Sequence, residues 1–363
     1  MKQVASPSVT STLHPLQSKE MVDAFLQPII NIKVNEARAI DPAYGTLWQA
    51  VQALYSAGGK RLRSYMTLII FEAYSDQPLE SILPTAAAQE LLHLAMLIHD
   101  DIIDRDFVRY GVKNVAAQYL DHYQTLLATP RDHEHFAQSS AMLAGDLLIS
   151  EAFILIAETQ ANPSAVLSAQ RLLSKAIFQV IGGELLDTEA TFRGIGAAHP
   201  LVIAEQKTAS YSFMTPFLMG ATLAEAPQQQ RDLLQVLGQK VGIAYQLRDD
   251  VIGIFGNEKH TGKSTDGDIR EGKRTILIDE FYRRATNDQR KQFERFFGNP
   301  TASNDEVQTL RQLLIKTGAK AAIETMIDDY QAATDTLIDA LTIDAAHQSS
   351  FRQLIQLCLQ RER

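Results

Sequence analysis

The chain has 363 residues, of which 45% are hydrophobic and 21% charged, a composition typical of a globular protein with a full core. Its net charge of −9 argues against a nucleic-acid-binding protein, which would normally be basic. A single cysteine, Cys358, excludes an internal disulfide and fits a reducing compartment. No apolar run is long enough for a membrane span or a signal peptide, so we expect a cytoplasmic protein.

Helical periodicity dominates the sequence, and strand-like runs bounded by turn residues are scarce. Residues 1–17 are rich in Ser, Thr and Pro and are predicted to be a flexible N-terminus. Helices are predicted over 20–36, 43–57, 60–75, 79–104, 112–128, 136–159, 164–187, 201–224, 228–256, 274–286, 288–297, 303–316, 318–341 and 345–361. Because no linker or repeat interrupts them, residues 18–363 are predicted to form a single all-α domain.

A turn rich in glycine and cations, Gly58-Gly59-Lys60-Arg61-Leu62-Arg63, opens the third predicted helix. Backbone N–H groups at a helix start favour anions, and Lys60 and Arg63 would lie on one helix face. A solvated basic turn would explain the same residues without any ligand. The turn alone therefore leaves both interpretations open.

The fourth predicted helix, 79–104, is apolar on all sides towards its end, yet it carries His99-Asp100-Asp101-Ile102-Ile103-Asp104. Asp100 and Asp104 are four residues apart and share one face. Asp101 is rotated by about 100° and is expected to play a supporting role. Unpaired carboxylates are costly to bury, and hard oxygen ligands suit Mg²⁺. The cluster therefore predicts a magnesium site.

A second aspartate cluster, Gln246-Leu247-Arg248-Asp249-Asp250, interrupts the predicted helix 228–256. It lacks an acid four residues after Asp249, where Gly253 stands, and is ambiguous when taken alone. Two such clusters facing each other would hold several Mg²⁺ ions, and these would hold a diphosphate. A loop rich in glycine and cations follows directly, from His260 to Thr275, and could close over the metal-bound phosphate.

Taken in order, these features resemble the trans-isoprenyl diphosphate synthases, the polyprenyl synthetase family. The resemblance covers roughly residues 20–340 and includes His93, seven residues before the first aspartate, and Lys207-Thr208 between the two clusters. Each motif is moderately specific, whereas the ordered set is highly specific. The resemblance implies a bundle of mostly antiparallel helices around a deep central cavity, usually in a homodimer. Gly182-Gly183-Glu184 and Asp187 fall where that family has a cavity-lining helix, although close helix packing would explain the glycines equally well.

The resemblance also implies the reaction and the site. Isopentenyl diphosphate would condense head-to-tail with dimethylallyl, geranyl or farnesyl diphosphate, by ionisation, condensation and elimination, to give an all-trans prenyl diphosphate. Three Mg²⁺ ions would be ligated by Asp100, Asp104 and Asp249, with Asp101 and Asp250 in support. The allylic diphosphate would be bound by Arg109, Lys207, Thr208, Gln246, Lys263 and Lys273, and the isopentenyl diphosphate by Lys60, Arg63 and His93.

Product length is predicted from the residues that precede Asp100 by five and four positions, Ala95 and Met96. Farnesyl-making relatives generally have an aromatic ring there. Ala95 leaves room and Met96 is flexible, so a geranylgeranyl or longer product is expected. A deeper residue must then end the cavity, and Leu91, Leu92 and the segment 139–150 are all candidates for that position.

Two positions depart from the commonest family pattern. Tyr110 stands where a second arginine usually contacts isopentenyl diphosphate, and Gly253 stands where the second cluster usually ends in aspartate. Because of these two losses, a second interpretation stays open, in which the chain is a non-catalytic or regulatory subunit. A terpene cyclase would carry similar aspartates but typically lacks the glycine-cation turn. An HD-type metal phosphohydrolase is suggested by His99-Asp100 but would leave the second aspartate cluster unexplained.

Overall fold

The computed structural model describes residues 12–126, 129–193, 199–256 and 265–359, and helices account for nearly all of the regular structure there, as predicted for an all-α protein. In chain order the N-terminal helices are α1 (Pro15–Ile40), α2 (Pro42–Ala57), α3 (Leu62–Tyr74), α4 (Leu83–Ile103), α5 (Val115–Tyr123), α6 (Pro130–Ala157) and α7 (Pro163–Ala190). The remaining helices are α8 (Pro200–Ile203), α9 (Thr215–Leu223), α10 (Gln228–Phe255), α11 (Gly267–Glu271), α12 (Ile276–Arg284), α13 (Asn287–Glu294), α14 (Asn304–Lys316), α15 (Ala319–Asp339) and α16 (Ala345–Leu359).

Helix α1 begins at Pro15, inside the N-terminal segment predicted to be flexible. The ring nitrogen Nδ1 of His14 accepts a hydrogen bond from the Leu16 N–H at 3.3 Å, and proline at the first position needs no N–H partner. Residues 15–17 are therefore helical. Residues 1–11, which make up most of that predicted segment, lie outside the described residues.

The prediction of a helix over 112–128 is wrong at its start, because two short strands, β1 (Val108–Arg109) and β2 (Val112–Lys113), pair there as a hairpin. Tyr110 and Gly111 have φ values of 54° and 75°, the left-handed conformation that a tight hairpin turn requires. Helix α5 starts only at Val115, where the Asn114 side chain accepts from the Ala117 N–H at 2.9 Å. The hairpin is what carries Arg109 back towards the end of α4.

The helix predicted over 201–224 is not uniform. Between α8 and α9 the chain forms a π-helix over Ala204–Met214. Such segments are rare, are usually a single turn long and are frequent at functional sites. Lys207 and Thr208 lie in this π-helix, which packs against α7 and α10.

Two hydrophobic clusters form the core. The larger runs through α1–α7, α9 and α16, and the smaller through α11–α15. Helix α10 joins them, since Leu234 and Val241 pack in the first and Leu247 and Ile254 in the second. Helix α10 therefore supports the second aspartate cluster from both halves of the core.

Helix α6 is, within the described ranges, the one helix long and apolar enough to cross a membrane by length and composition. It packs along α4 and α5, and 44% of its most apolar window is buried inside the protein. Ala141, Ala144 and Leu148 on this helix belong to the larger core cluster. A core helix of this kind satisfies the same criteria of length and composition.

Candidate active site

The first aspartate cluster lies at the C-terminal end of α4, where its members differ in exposure. Asp101 is buried, with 3% of its surface exposed, whereas the Asp100 side chain keeps 25% exposed. Asp104 follows the last helical residue, is exposed, and donates its N–H to the Asp100 carbonyl at 2.8 Å. The carboxylates of Asp100 and Asp104 are therefore the accessible ones.

Asp101 pairs with Arg109 from the hairpin. The Arg109 Nε donates to Asp101 Oδ1 at 2.8 Å, and Nη2 donates to both that atom and Asp100 Oδ2, the latter at 3.3 Å. Burial raises the pKa of Asp101, and the hydrogen bond and charge of Arg109 counteract part of that rise. Arg109 is thus placed beside both neighbouring aspartates.

Lys207 joins three segments of the chain. Its Nζ lies 2.9 Å from Glu184 Oε2, 2.7 Å from Asp187 Oδ2 and 3.7 Å from Asp100 Oδ1. Burial alone would lower the pKa of Lys207, but these acids, Asp187 foremost, outweigh burial and raise it. The π-helix lysine is therefore firmly protonated and links α7 to the first aspartate cluster.

Gly183 on α7 explains how Lys207 comes so close. A β-carbon added at Gly183 would lie 2.3 Å from the backbone nitrogen of Lys207, so only glycine permits this approach. Glu184 and Asp187, three residues apart on α7, then share the face that meets Lys207. The close packing at Gly183 is present, and Glu184 and Asp187 contact Lys207 beside the first aspartate cluster. In the sequence, the three-residue spacing of Glu184 and Asp187 already indicates that they share one helix face.

The second aspartate cluster is tied to the π-helix by amide and hydroxyl groups. Thr208 Oγ1 donates to Gln246 Oε1 at 2.5 Å, and Gln246 Nε2 donates to Asp250 Oδ1 at 2.8 Å. Burial raises the pKa of Asp250 to about 8, against the lowering effect of Gln246 and Lys273. Asp249, the adjacent residue, is exposed. Gln246 thus fixes Asp250 inside, while Asp249 remains accessible.

Lys273 lines one cavity with Asp187, Lys207 and Asp250. Burial would lower its pKa, but Asp268, Asp187, Asp250 and Asp104, in decreasing order of effect, raise it well above the ordinary value. Its interacting acids therefore come from α4, α7, α10 and the segment after α10. Lys263, the other lysine predicted in that segment, lies outside the described residues.

The glycine-cation turn separates its three cations. Arg61 is buried, with 8% of its surface exposed, and its Nε donates to Asp23 Oδ1 at 2.8 Å. Its remaining nitrogens donate to the carbonyls of Gly58 and Tyr55 at 2.9 and 3.0 Å, so Arg61 holds the turn together. Helix α3 begins at Leu62, and Lys60 lies in the turn, exposed. The helix face that Lys60 and Arg63 were predicted to share does not form.

Arg63 and His93 meet at Tyr211 of the π-helix. Arg63 Nη2 donates to Ser212 Oγ at 2.6 Å and to Tyr211 Oη at 3.3 Å, while Tyr211 Oη lies 3.5 Å from His93 Nδ1. Burial, followed by the charges of Arg63 and other arginines, lowers the pKa of His93 well below its ordinary value. His93 is therefore a neutral hydrogen-bonding group.

Tyr110 closes this side of the site. A β-carbon added at Gly58 would lie 2.9 Å from the Tyr110 ring, so the ring rests on the glycine of the turn. Together with Arg61, Glu90 and His93 it lines a small cavity. The position where the resemblance implied an arginine thus adjoins the turn and His93.

The accessible acids suit a hard divalent cation. Although Asp104 is open to solvent, the surrounding protein removes part of its hydration, and this desolvation and the charge of Asp100 both raise its pKa. A cation would relieve the repulsion between the two carboxylates. Within the described ranges no three acidic, histidine or cysteine side chains already converge as a preformed metal cage. The donors offered by the two clusters are carboxylate oxygens, which fits Mg²⁺ better than a softer metal.

Comparison with known proteins decides the family. The model of the family described as polyprenyl synthetase matches residues 45–314. The chain belongs to the polyprenyl synthetase family. It is therefore a trans-prenyltransferase of isoprenoid biosynthesis, in a magnesium-dependent family whose substrates are isopentenyl and allylic diphosphates.

Individual members of the family are similar over most of the chain. The short chain isoprenyl diphosphate synthase of Methanocaldococcus jannaschii is 31% identical over 268 residues, 74% of this chain and 76% of that protein. The geranylgeranyl diphosphate synthase of Sulfolobus acidocaldarius is 31% identical over 294 residues, 80% of this chain and 83% of its own.

A solved structure is similar over nearly the whole chain. The geranylgeranyl pyrophosphate synthase from Corynebacterium glutamicum, complexed with isoprenyl diphosphate and magnesium, has a TM-score of 0.88 and 27% identity. The alignment covers 96% of this chain and 100% of that structure. The predicted family and the isoprenoid synthase fold are confirmed, and the hydrolase interpretation is left without support.

Proposed function

We propose that residues 18–363 form a single domain that condenses isopentenyl diphosphate head-to-tail with an allylic diphosphate and releases geranylgeranyl diphosphate or a longer all-trans product. The observation that carries this site assignment is the cavity that Lys273 lines together with Lys207, Gln246 and Asp250. Lys207 adds a second link, from α7 to Asp100. A diphosphate bound by metals on both clusters would meet these two ammonium groups.

The acids divide into ligands and supports. Asp100, Asp104 and Asp249 are accessible and would hold the magnesium ions, for which we propose three per site. Asp101 and Asp250 are buried and orient Arg109 and Gln246. When bound, the metal stabilises the negative charge of the departing diphosphate as a Lewis acid.

The allylic diphosphate site would be formed by cations and by a hydrogen-bonded pair. Arg109, Lys207 and Lys273 supply positive charge beside the proposed metal ligands, and Lys263 is proposed to join them. The Thr208 hydroxyl and the Gln246 amide, bonded to each other at 2.5 Å, present dipoles on the same side. These dipoles would stabilise the allylic cation left when the carbon–oxygen bond breaks.

Isopentenyl diphosphate would bind at the glycine-cation turn. Arg63 is already held by hydrogen bonds to Ser212 and Tyr211. His93 is neutral and therefore does not repel the Arg63 guanidinium. Lys60 is exposed in the turn, where its flexible side chain can reach an incoming phosphate. The double bond of this substrate would attack the allylic carbon, and the proton then lost would pass to the released diphosphate. No protein base is then required.

Product length would be set along α4, one turn before Asp100. Ala95 has no exposed surface and Met96 is partly buried, so neither position presents an aromatic ring. A growing isoprenoid tail would meet a small side chain and a flexible one, and would pass this level. This supports a geranylgeranyl or longer product.

A homodimer is supported by an unusual exposed face of α7. Phe178, Ile181 and Leu185 recur at helical spacing and are 80%, 55% and 66% exposed. A contiguous exposed apolar patch is typical of a protein interaction site. We propose that a second copy covers this face, and that the dimer is cytoplasmic.

The experiment is an assay of the purified chain with isopentenyl diphosphate and, separately, each of the three allylic diphosphates. Condensation should require Mg²⁺ and stop with a chelator. Chromatography of the dephosphorylated products should show geranylgeraniol or longer alcohols. A product that stops at farnesol would contradict the length assignment, and no condensation with any primer would contradict the proposed function.

A further inference from the structure

The second aspartate cluster lacks an acid at Gly253, four residues after Asp249, and another part of the chain fills the space beside that glycine. Gly253 lies one helical turn after Asp249 on α10, so the two positions share a face. A β-carbon added at Gly253 would lie 2.3 Å from Asp268 Oδ2 and 3.2 Å from Asp268 Cγ. The carboxylate of Asp268 therefore fills the space that a side chain at 253 would enter.

Asp268 is held in this position by its own surroundings. It is the second residue of α11, which packs on α10, and the next residue, Ile269, is fully buried. The Asp268 carbonyl accepts from the Lys273 N–H at 2.9 Å. Arg311 secures the start of the same segment through Asp266, at 2.7 Å. The approach of Asp268 to Gly253 is thus fixed by packing on both sides.

The charge of Asp268 acts on the candidate active site. Among the acids that raise the pKa of Lys273 against burial, Asp268 has the largest effect. It also contributes, after burial and other larger effects, to the raised pKa of Asp250 and of Glu271. Asp268 therefore faces the same group of charges as the second aspartate cluster.

We propose that Asp268 supplies, from α11, the carboxylate that Gly253 lacks, and that the bare α-carbon at 253 is what admits it. This inference rests on the proposed function of the site. The second cluster is then assembled from two helices, and positions 253 and 268 depend on each other. A side chain at 253 would displace the Asp268 carboxylate, although the end of an aspartate can move without disturbing the fold.

The test measures Mg²⁺-dependent binding of inorganic pyrophosphate by calorimetry, together with the melting temperature without ligand. Asp268→Asn should weaken binding by about tenfold, as for loss of one charged contact. Gly253→Ala should weaken it similarly, because it displaces the carboxylate. Asp328→Asn is the matched control for the loss of one charge, since Asp328 is an exposed aspartate on α15. It should leave binding unchanged, and all three variants should keep their fold.

A position swap completes the test. Gly253→Asp combined with Asp268→Ala moves the carboxylate onto α10 and should bind magnesium pyrophosphate clearly more tightly than Asp268→Ala alone. The inference is overturned if Asp268→Asn and Gly253→Ala bind like the parent, or if the double variant binds no better than Asp268→Ala. A parent protein that binds no magnesium pyrophosphate would contradict the proposed function itself, before any variant is compared.

Discussion

Arg109 and Asp101 form an ion pair, with Nε and Oδ1 2.8 Å apart, that ties the hairpin to the end of α4. The Arg109 side chain is 12% exposed and that of Asp101 only 2%. A buried charge without a partner is costly, so each residue fixes the position of the other. The consecutive aspartates therefore have different tasks: Asp101 holds the arginine, and Asp100 remains accessible.

Asp100→Ala should lower turnover by several orders of magnitude, because it removes a proposed metal ligand at the point where negative charge develops. Steady-state assays of condensation at saturating Mg²⁺ would measure the loss, and circular dichroism should show an unchanged helical fold. Near-parental turnover in this variant would mean that the metal assignment is wrong.

Tyr110→Arg should lower the KM for isopentenyl diphosphate, since a charge-assisted contact to phosphate contributes about 1–3 kcal/mol. Tyr110 already has a φ of 54°, so the substitution exchanges one non-glycine residue for another and adds no new backbone strain. Tyr110→Phe is the control: it keeps a ring on Gly58 and adds no charge, and its KM should match the parent. A KM that is unchanged or raised in the arginine variant would show that another residue already fills this role.

Ala95→Phe should shorten the product, because a ring added one turn before Asp100 would block the growing tail. Ala95→Ser, which barely changes the volume, should leave the product distribution as in the parent. Chromatography of the dephosphorylated alcohols measures both variants. An unchanged length with phenylalanine at this fully buried position would place the tail along another face of α4.

His347 gives a prediction for pH. A hydrogen bond to Glu72, with Nε2 and Oε2 3.3 Å apart, raises its pKa above 6.5, although burial opposes the rise. Because the folded pKa is the higher one, this contribution to stability is complete below the unfolded pKa and is lost as the pH rises through the folded pKa.

Between about pH 6 and about pH 8 the parent should therefore lose more melting temperature than His347→Gln. His122→Gln, at an exposed histidine on α5, should follow the parent. The same pH slope in the parent and in His347→Gln would rule out His347, with its partners Glu72 and Asp344, as the source.

The sequence predicted the parts of the site that depend on local helical periodicity, and it did not predict the contacts between distant segments. Helical periodicity can be recognised within a short stretch of sequence, so the sequence alone placed the aspartates of α4 and α10 on helices. The contact of Lys207 with Glu184 and Asp187 joins segments twenty or more residues apart, and only packing of α7 against the π-helix creates it. The π-helix itself has no periodic signature.

The glycine-cation turn shows a second limit. Its three cations look equivalent in sequence, yet the left-handed φ of 52° at Arg61 turns that side chain inward to Asp23 and delays the helix to Leu62. The hairpin was missed for a similar reason, since left-handed residues at 110 and 111 reverse the chain where the pattern favoured a helix. Local backbone conformation decided both cases.

The ion pairs of Lys207 imply that filling this site is an exchange of partners rather than simple addition. To bind a phosphate, the Lys207 ammonium must give up its ion pair with at least one of the three carboxylates around it. A diphosphate arriving alone would draw Lys207 away and leave Asp100 with Arg109 as its cationic neighbour. A metal ion arriving alone at Asp100 would meet the repulsion of Lys207. Each ligand thus removes the obstacle to the other, so metal and diphosphate should enter with mutually increased affinity.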